Sequence, residues 1–326
     1  MHQPSGFSRS ILLGITVALF VAGCGASGSQ FSPTAATMAS GSSTNATKMR
    51  HDDIKPTYLY MVGSCFVYWV TEGSSGYYLY EPPGCDPAEG AYTGVASENK
   101  EQKFLAGVST ASSNFIAVAN SKGKQVGTLT GLTGDPVGIA TDAKADVWAT
   151  NYPSNTISEF GPGAKTPTAT FTDGNLSSLR YVAVDQDNNV YVSGQRAGSG
   201  NLEVDELQGS AFTPIKTITG AVGAGIAISP KTKTLWVCDE GDGTSGTISG
   251  YTIPGFKRRM QSVTSGDDTG IAVSKSGKEI YVIDNVADGS QFDVSVVVYN
   301  AKTGKVVSTA PSITTSAKAV GISALR

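Results

Sequence analysis

Short runs of hydrophobic residues, separated by polar turns, recur along this chain at a nearly fixed spacing. Residues 137–142, 181–185, 225–229 and 270–274 each begin an apolar run of one form, and the Ile or Val residues at 139, 182, 226 and 271 are 43, 44 and 45 residues apart. Each copy continues with an aromatic and β-branched run, a polar turn and two further runs. Four short strands in each unit of about 40–50 residues predict an all-β fold of the β-propeller type, in which every unit is one blade.

The N-terminal part of the repeat region follows the same template. Residues 57–84 align without gaps with residues 136–163, which places Glu72 on Asn151. Residues 104–130 give a shorter copy of the unit. The sequence therefore predicts six blades of about 45 residues, with seven blades as the alternative.

The C-terminal tail has the pattern of an innermost strand. Residues 319–323, Ala-Val-Gly-Ile-Ser, repeat the small and β-branched pattern of the earlier units. Propellers usually close by pairing one chain end with the other. We therefore expect the N- and C-terminal segments to pair within the blade that contains residues 57–84.

The repeats resemble those of the NHL/YVTN class of β-propellers, which includes the streptogramin (virginiamycin B) lyase-like proteins. The resemblance is carried by GIATD, VWATN and NTISEF and their copies over residues 57–326, so this region is expected to be a single propeller domain. The lyases use a catalytic histidine, whereas the two histidines here, His2 and His51, precede the repeats. Lyase-type catalysis is therefore not expected.

The N-terminal segment has the features of an exported lipoprotein. Residues 1–23 contain Arg9 and then an apolar stretch too short to span a bilayer, as in a signal peptide. Val-Ala-Gly before Cys24 resembles a bacterial lipobox, which implies lipidation of Cys24. Residues 24–56 are then the lipidated Cys and a flexible Ser/Thr/Ala/Gly tether. This predicts a lipid-anchored protein of the bacterial cell envelope, and Gly25 favours the outer over the inner membrane.

The charge balance of the chain argues against a nucleic-acid partner. The 24 Lys and Arg residues are balanced by 27 Asp and Glu residues, for a net charge of −3. Nucleic-acid binding requires clustered cations, and Lys257–Arg259 is a short patch interpreted as a solvated loop edge. The expected partners are the membrane, through Cys24, and an unknown protein, peptide or glycan. The protein is expected to be a monomer.

One position in each unit has the residue types of a candidate site. The residues that end the second predicted strand are Glu72, Asn120, Asn151, Gly194, Asp239 and Asp284. Oxygen ligands gathered around a channel can hold a divalent cation such as Ca²⁺, and lactonase-type propellers of the gluconolactonase group resemble this arrangement. Alternatively, Asn and Asp occupy these positions because they stabilise turns.

The remaining cysteines have two interpretations. Cys65 and Cys85 are expected at neighbouring strand ends, where they form either a disulfide or two separate thiols. Cys238 takes the position of Thr150 near a strand end and is expected to be a buried, unreactive thiol.

These observations favour a non-catalytic binding or interaction module. Its contacts are expected on the channel face and on the loops at residues 194–201, 239–246 and 284–292. The alternative is a metal-dependent propeller hydrolase or lyase, lactonase-like, that uses the acidic residues of that face.

Overall fold

The computed structural model describes the repeat region of the chain and not the segment that precedes it. The chain divides into two units, Met1–Lys48 and Met49–Arg326, and every described residue belongs to the second. The described residues are 56–62, 66–71, 77–80, 90–98, 103–110, 113–120, 124–218, 224–229, 231–239, 245–264, 267–309, 312–315 and 319–324. The predicted signal peptide, Cys24 and the tether up to residue 55 lie outside them.

The described residues are built of β-strands joined by turns. In chain order the strands are β1 Pro56–Val62, β2 Phe66–Thr71, β3 Tyr77–Tyr80, β4 Gly90–Glu98, β5 Lys103–Thr110, β6 Asn114–Ala119, β7 Gln125–Leu129, β8 Asp135–Thr141, β9 Val147–Tyr152, β10 Thr156–Phe160, β11 Ala169–Thr172, β12 Leu176–Val184, β13 Val190–Arg196, β14 Leu202–Gln208, β15 Ala211–Ile218, β16 Ala224–Ser229, β17 Thr234–Asp239, β18 Thr247–Thr252, β19 Arg258–Val263, β20 Asp267–Val273, β21 Glu279–Asp288, β22 Gln291–Asn300, β23 Val306–Thr309, β24 Ile313–Thr315 and β25 Ala319–Ala324. No helix within the described ranges is long and apolar enough to cross a membrane.

These strands form six antiparallel sheets. Sheet 1 has the order β25-β1-β2-β3, and sheets 2 to 5 are built in chain order from β4–β7, β8–β11, β12–β15 and β16–β19. Sheet 6 has five strands, β20 to β23 in order and β24 paired with β22. The first strand of each sheet, which is β25 in sheet 1, is its innermost strand.

The innermost strands surround a central axis. Each contacts the next, from β4 through β8, β12, β16 and β20 to β25, and β25 contacts β4. The ring is therefore closed, and the prediction of an all-β propeller is confirmed. We call the side on which the innermost strands begin the start face and the opposite side the end face. Because strands alternate in direction, hairpins between second and third strands lie on the start face.

The chain ends meet in sheet 1, as the sequence predicted. The C-terminal strand β25 pairs antiparallel with β1, with Ile322 opposite Tyr60 and Ser323 opposite Leu59. The innermost strand of this sheet thus comes from the opposite end of the chain.

The closure corrects the predicted alignment of the first two units by one strand. Because β25 is innermost in sheet 1, β1 is the second strand and β2, which contains Trp69, is the third. In sheet 2 the innermost strand is β4, so the predicted innermost run at residues 106–108 lies in the second strand. The segment Gly94-Val95-Ala96-Ser97 carries the innermost pattern, and Val95 precedes Ile139 by 44 residues.

Close approach between neighbouring innermost strands explains the glycine at the start of the pattern. A Cβ atom on Gly138 would lie 2.5 Å from the carbonyl oxygen of Arg180 in sheet 4. Thr150 joins the same two strands, because its hydroxyl donates to Arg180 O (2.6 Å) and accepts from Gly138 N (2.8 Å). A side chain at residue 138 would force the sheets apart.

Candidate functional site

The residues predicted to form a polar ring share one register position only in sheets 3 to 6. In each of these sheets the innermost strand carries one Ile or Val that lines the central channel: Ile139, Val182, Ile226 or Ile271. The second strand carries the predicted ring residue two positions after the residue paired with that Ile or Val. These ring residues are Asn151, Gly194, Asp239 and Asp284. In sheets 1 and 2 the same register position is occupied by Val62 and Val108. The polar positions therefore cover one part of the start face.

Asn120 does not belong to this group. It follows β6, the third strand of sheet 2, and therefore lies toward the end face. There its Oδ1 accepts a hydrogen bond from Lys124 N (3.0 Å), and its backbone N–H donates to Lys124 O (2.9 Å). The sequence predicts Asn120 at the end of a second strand. Because the strands of sheet 2 are shifted by one relative to that prediction, Asn120 follows the third strand and does not belong to the ring.

Asn151 uses its amide within its own sheet. Its Nδ2 donates to Thr156 Oγ1 (2.9 Å) and to Ser158 Oγ (3.0 Å) on the neighbouring strand β10. The side chain is fully buried. This supports the interpretation of Asn151 as a residue that stabilises the hairpin.

The acidic members of the group do not form a metal centre with other described residues. Asp284 is buried and Asp239 is half-buried. Among the described residues, no group of three or more His, Cys, Asp or Glu side chains is arranged to hold a metal ion. Glu72, Cys65 and Cys85 lie outside the described residues, and Cys238 is fully buried, as predicted.

The central channel is narrow. Its wall carries one β-branched residue from each innermost strand: Val95, Ile139, Val182, Ile226, Ile271 and Ile322. The cavities on the two sides of this ring are only about 80 and 40 Å³. Small-molecule sites have volumes of roughly 300–1,000 Å³, so the channel is a packed core rather than a ligand site.

Three buried acids gather between sheets 3 and 4 beneath the start face. Asp173 lies on the connection into sheet 4, and Glu203 and Asp205 lie on β14. Asn175 holds the two aspartates, because its backbone N–H donates to Asp173 Oδ1 (2.8 Å) and its Nδ2 donates to Asp205 Oδ2 (2.9 Å). One oxygen of each acid, Asp173 Oδ2, Asp205 Oδ1 and Glu203 Oε1, is buried without a hydrogen-bond partner among the described residues.

The ionisation of these acids follows from their burial. Burial, and then the charge of Asp173, raise the pKa of Asp205 from its ordinary value of 3.8 to about 7. Burial also raises the pKa of Asp173. Glu203 is compensated by Arg196, whose Nη1 lies 3.0 Å from Glu203 Oε2. Asp173 and Asp205 therefore form a carboxyl pair in which Asp205 takes up a proton near neutral pH.

A much larger cavity opens on the end face between sheets 5 and 6. Its volume is about 700 Å³. The wall from sheet 5 includes the turn before β17 and the start of β19, and the wall from sheet 6 consists of two turns. The lining residues are Thr232, Thr234, Trp236, Arg259, Met260, Ser276, Gly277, Lys278, Asn300, Ala301, Lys302 and Thr303.

No local sequence pattern predicts this cavity. Lys257–Arg259 was interpreted as a solvated loop edge, whereas Arg259 lines the cavity. Its cationic neighbours Lys278 and Lys302 come from separate turns of the next sheet. One signal in the sequence was available: the fourth strand of this unit carries Ser262 where the fourth strand of sheet 3 carries Phe171.

Comparisons with known proteins show the fold alone. No protein-family model matches the chain, and no curated protein matches it. Among solved structures, the chain is similar to Kuenenia stuttgartiensis hydrazine synthase, with a TM-score of 0.54 and 12% identity over 83% of this chain and 90% of that chain. It is also similar to a protein of unknown function from Bacteroides caccae, with a TM-score of 0.58 and 13% identity over 83% of this chain and 100% of that chain.

Proposed function

We propose that this protein is a non-catalytic binding module that holds a small ligand between sheets 5 and 6. The observation that carries the proposal is the cavity of about 700 Å³ on the end face. This volume lies within the range of small-molecule sites, roughly 300–1,000 Å³. The central channel, which the sequence favoured as the contact region, has cavities of only about 80 and 40 Å³.

The construction of the cavity supports a binding role. Its walls are strands and tight turns that carry their own hydrogen bonds: Asn300 Oδ1 accepts from Lys302 N and Thr303 N (both 3.0 Å). Ala301 N donates to Lys278 O (2.8 Å), which joins the two turns of sheet 6. A site supported in this way loses little conformational entropy when a ligand binds.

A pair of fluorescent probes tests whether the cavity takes up ligands. 8-Anilinonaphthalene-1-sulfonate and its uncharged counterpart N-phenyl-1-naphthylamine share one ring system. We expect at least one of them to bind the folded protein saturably with a stoichiometry of about one. Thr303→Trp should weaken that binding at least tenfold, because a large side chain then occupies the mouth of the cavity.

Ser210→Trp is the matched control for this experiment. Ser210 is exposed in the turn between the third and fourth strands of sheet 4, which corresponds to the position of Thr303 in sheet 6. We expect this variant to bind the probes as the wild type does. Absence of saturable binding to the folded wild type, or equal binding by Thr303→Trp, would contradict the proposal.

The binding module is further proposed to be exported and held at the bacterial cell envelope by a lipid on Cys24. The support is the apolar segment before Cys24 and the Ser/Thr-rich tether after it. Cys24→Ser should move the protein from the membrane fraction to the soluble fraction and prevent its labelling by a palmitate analogue. Ser29→Ala, a substitution in the tether, is the control and should leave both unchanged. Unchanged fractionation and labelling of Cys24→Ser would refute the anchor.

A further inference from the structure

The cavity between sheets 5 and 6 carries charge of one sign. Arg259, Lys278 and Lys302 line it, and none of the lining residues of the described chain is an acid. Glu279 follows Lys278 in sequence, but side chains alternate along β21. Glu279 accepts a hydrogen bond from Tyr281 OH (2.9 Å), whereas Ile280 packs with Trp236 between sheets 5 and 6. Glu279 is therefore directed to the other side of its sheet.

The cations are arranged so that they can converge on one ligand. Arg259 comes from sheet 5, and Lys278 and Lys302 come from the facing turns of sheet 6. One Nη1 donor of Arg259 lies 3.3 Å from Thr234 Oγ1, which fixes the side chain at the wall. A guanidinium group carries five N–H donors. Arg259 can therefore bind an oxyanion while it keeps its contact with Thr234.

Neutral donors complete the lining. Thr232, Ser276 and Thr303 contribute hydroxyl groups. The indole of Trp236 also lines the cavity.

We propose that this cavity is a site for a small ligand that carries at least two sulfate or phosphate groups, such as a sulfated or phosphorylated sugar. The inference rests on the proposed binding function and specifies its ligand class. One anionic group binds Arg259 on the sheet 5 wall, and a second binds Lys278 and Lys302 on the sheet 6 wall. The hydroxyls bind the polar body of the ligand, and the indole of Trp236 forms the floor against which it packs.

Isothermal titration with matched sugars tests the ligand class. The probes are a trisulfated heparin-type disaccharide, the same disaccharide without sulfates, and inorganic sulfate and phosphate. We expect the sulfated sugar to bind the wild type saturably, with an affinity that falls as salt increases. The unsulfated sugar should bind at least tenfold more weakly, and the free inorganic ions should also bind more weakly because each engages only one wall.

Two double variants, each of which removes two positive charges, test whether the sulfated sugar binds in this cavity. Arg259→Gln with Lys302→Gln should weaken binding of the sulfated sugar at least tenfold. Lys257→Gln with Lys275→Gln removes two charges from the exposed side chains of the same two sheets but outside the cavity lining, and should change the affinity less than twofold. Thermal unfolding of both variants should match the wild type, because all four side chains are exposed.

The outcomes distinguish a failure of the proposed ligand class from a failure of the proposed binding function. Equal binding of sulfated and unsulfated sugars would overturn the anionic class and leave the binding function standing. The anionic class would also be overturned, and the binding function would stand, if Thr303→Trp abolished probe binding but the sulfated sugar did not bind the wild type. Equal effects of the two double variants would overturn the assignment to this cavity, because general surface charge would then explain the affinity.

Discussion

The interface between sheets 3 and 4 and the interface between sheets 5 and 6 each contain a tryptophan at the same position. The side chains that pack beside these two tryptophans differ. Trp148 stacks on Phe171, with ring centroids 6.1 Å apart and an interplanar angle of 26°. The corresponding partner of Trp236 is Ser262, whose Oγ donates to Gly304 O (3.1 Å) in sheet 6. Trp236 therefore has no aromatic stacking partner at this position, and Met260 of β19 packs against its cluster.

A second pair of positions shows the same difference. Phe212, opposite Leu207, packs against the apolar cluster between sheets 3 and 4. The register equivalent in sheet 6 is Val306, opposite Tyr299, and 56% of its surface is exposed. The aromatic residue of this pair therefore lies on the fourth strand in sheet 4, as Phe212, and on the third strand in sheet 6, as the buried Tyr299.

The start faces of the two interfaces differ on the third strand of the second sheet. Between sheets 3 and 4, β14 carries Glu203 and Asp205, both fully buried. The register equivalents on β22 are Ser295 and Val297. On the third strand, the first interface therefore buries two acids beneath the start face where the second has uncharged side chains, and the large cavity of the second interface opens on the end face.

The largest expected effect comes from removing the two tryptophans. Trp148→Ala should lower the free energy of unfolding by about 4 kcal/mol, because the packed interface cannot collapse around the space. Trp236→Ala should cost about 1 kcal/mol less, because it borders an existing polar cavity that water can extend into. Urea unfolding measures both. Equal losses would show that the two interfaces are packed alike.

The next effect concerns the buried acids. The raised pKa of Asp205 means that folding binds a proton, so stability falls as pH rises from about 4 through about 7. Asp205→Asn should reduce this fall, leaving the smaller part due to Asp173, and should stabilise the protein by about 2 kcal/mol at pH 8, since an amide can donate to Asp173. Thermal unfolding from pH 5 to 8 tests this.

Asp187→Asn is the control for the acid variant. The carboxylate of Asp187 is exposed and pairs with Lys233 at 2.8 Å. Exposed pairs contribute little to stability, so this variant should retain the pH dependence of the wild type. A parallel pH profile for Asp205→Asn would show that Asp205 does not take up the proton.

The smallest expected effect comes from restoring the missing ring. Ser262→Phe should stack on Trp236 as Phe171 stacks on Trp148, and we expect it to stabilise the protein by about 1 kcal/mol. It should also weaken probe binding, because the added ring takes up space beside the cavity. Ser262→Ala removes the same hydroxyl without adding volume. Identical stability and probe binding in the two variants would mean that the ring does not enter the interface.

The repeat pattern was sufficient to predict the fold because local alternation determines each strand. The residues at 139, 182, 226 and 271 were identified by spacing, and all four line the channel. The first two sheets were misaligned because their innermost strands come from β25 and from a segment beginning at Gly90. Both segments carry the innermost pattern, but their assignment to a sheet depends on how the ring closes.

The sites could be predicted only in part. Asn151 was identified by its position after a strand, but its orientation toward Ser158 depends on the neighbouring strand. The buried acids come from two segments that only the connection into sheet 4 brings together. The cavity depends on turns in two different sheets and on the absence of an aromatic side chain, which no local pattern of residues reports.

The pairing of β25 with β1 also has a consequence for the order of events during biosynthesis. Tyr60 is made near the start of the chain, but its partner Ile322 is made near the end. Sheet 1 therefore cannot acquire its innermost strand until nearly the whole chain has been synthesised. Long-range pairing of this kind slows folding. Ring closure is thus the natural last step, and a chain stopped before β25 would lack one of the residues that seal the channel.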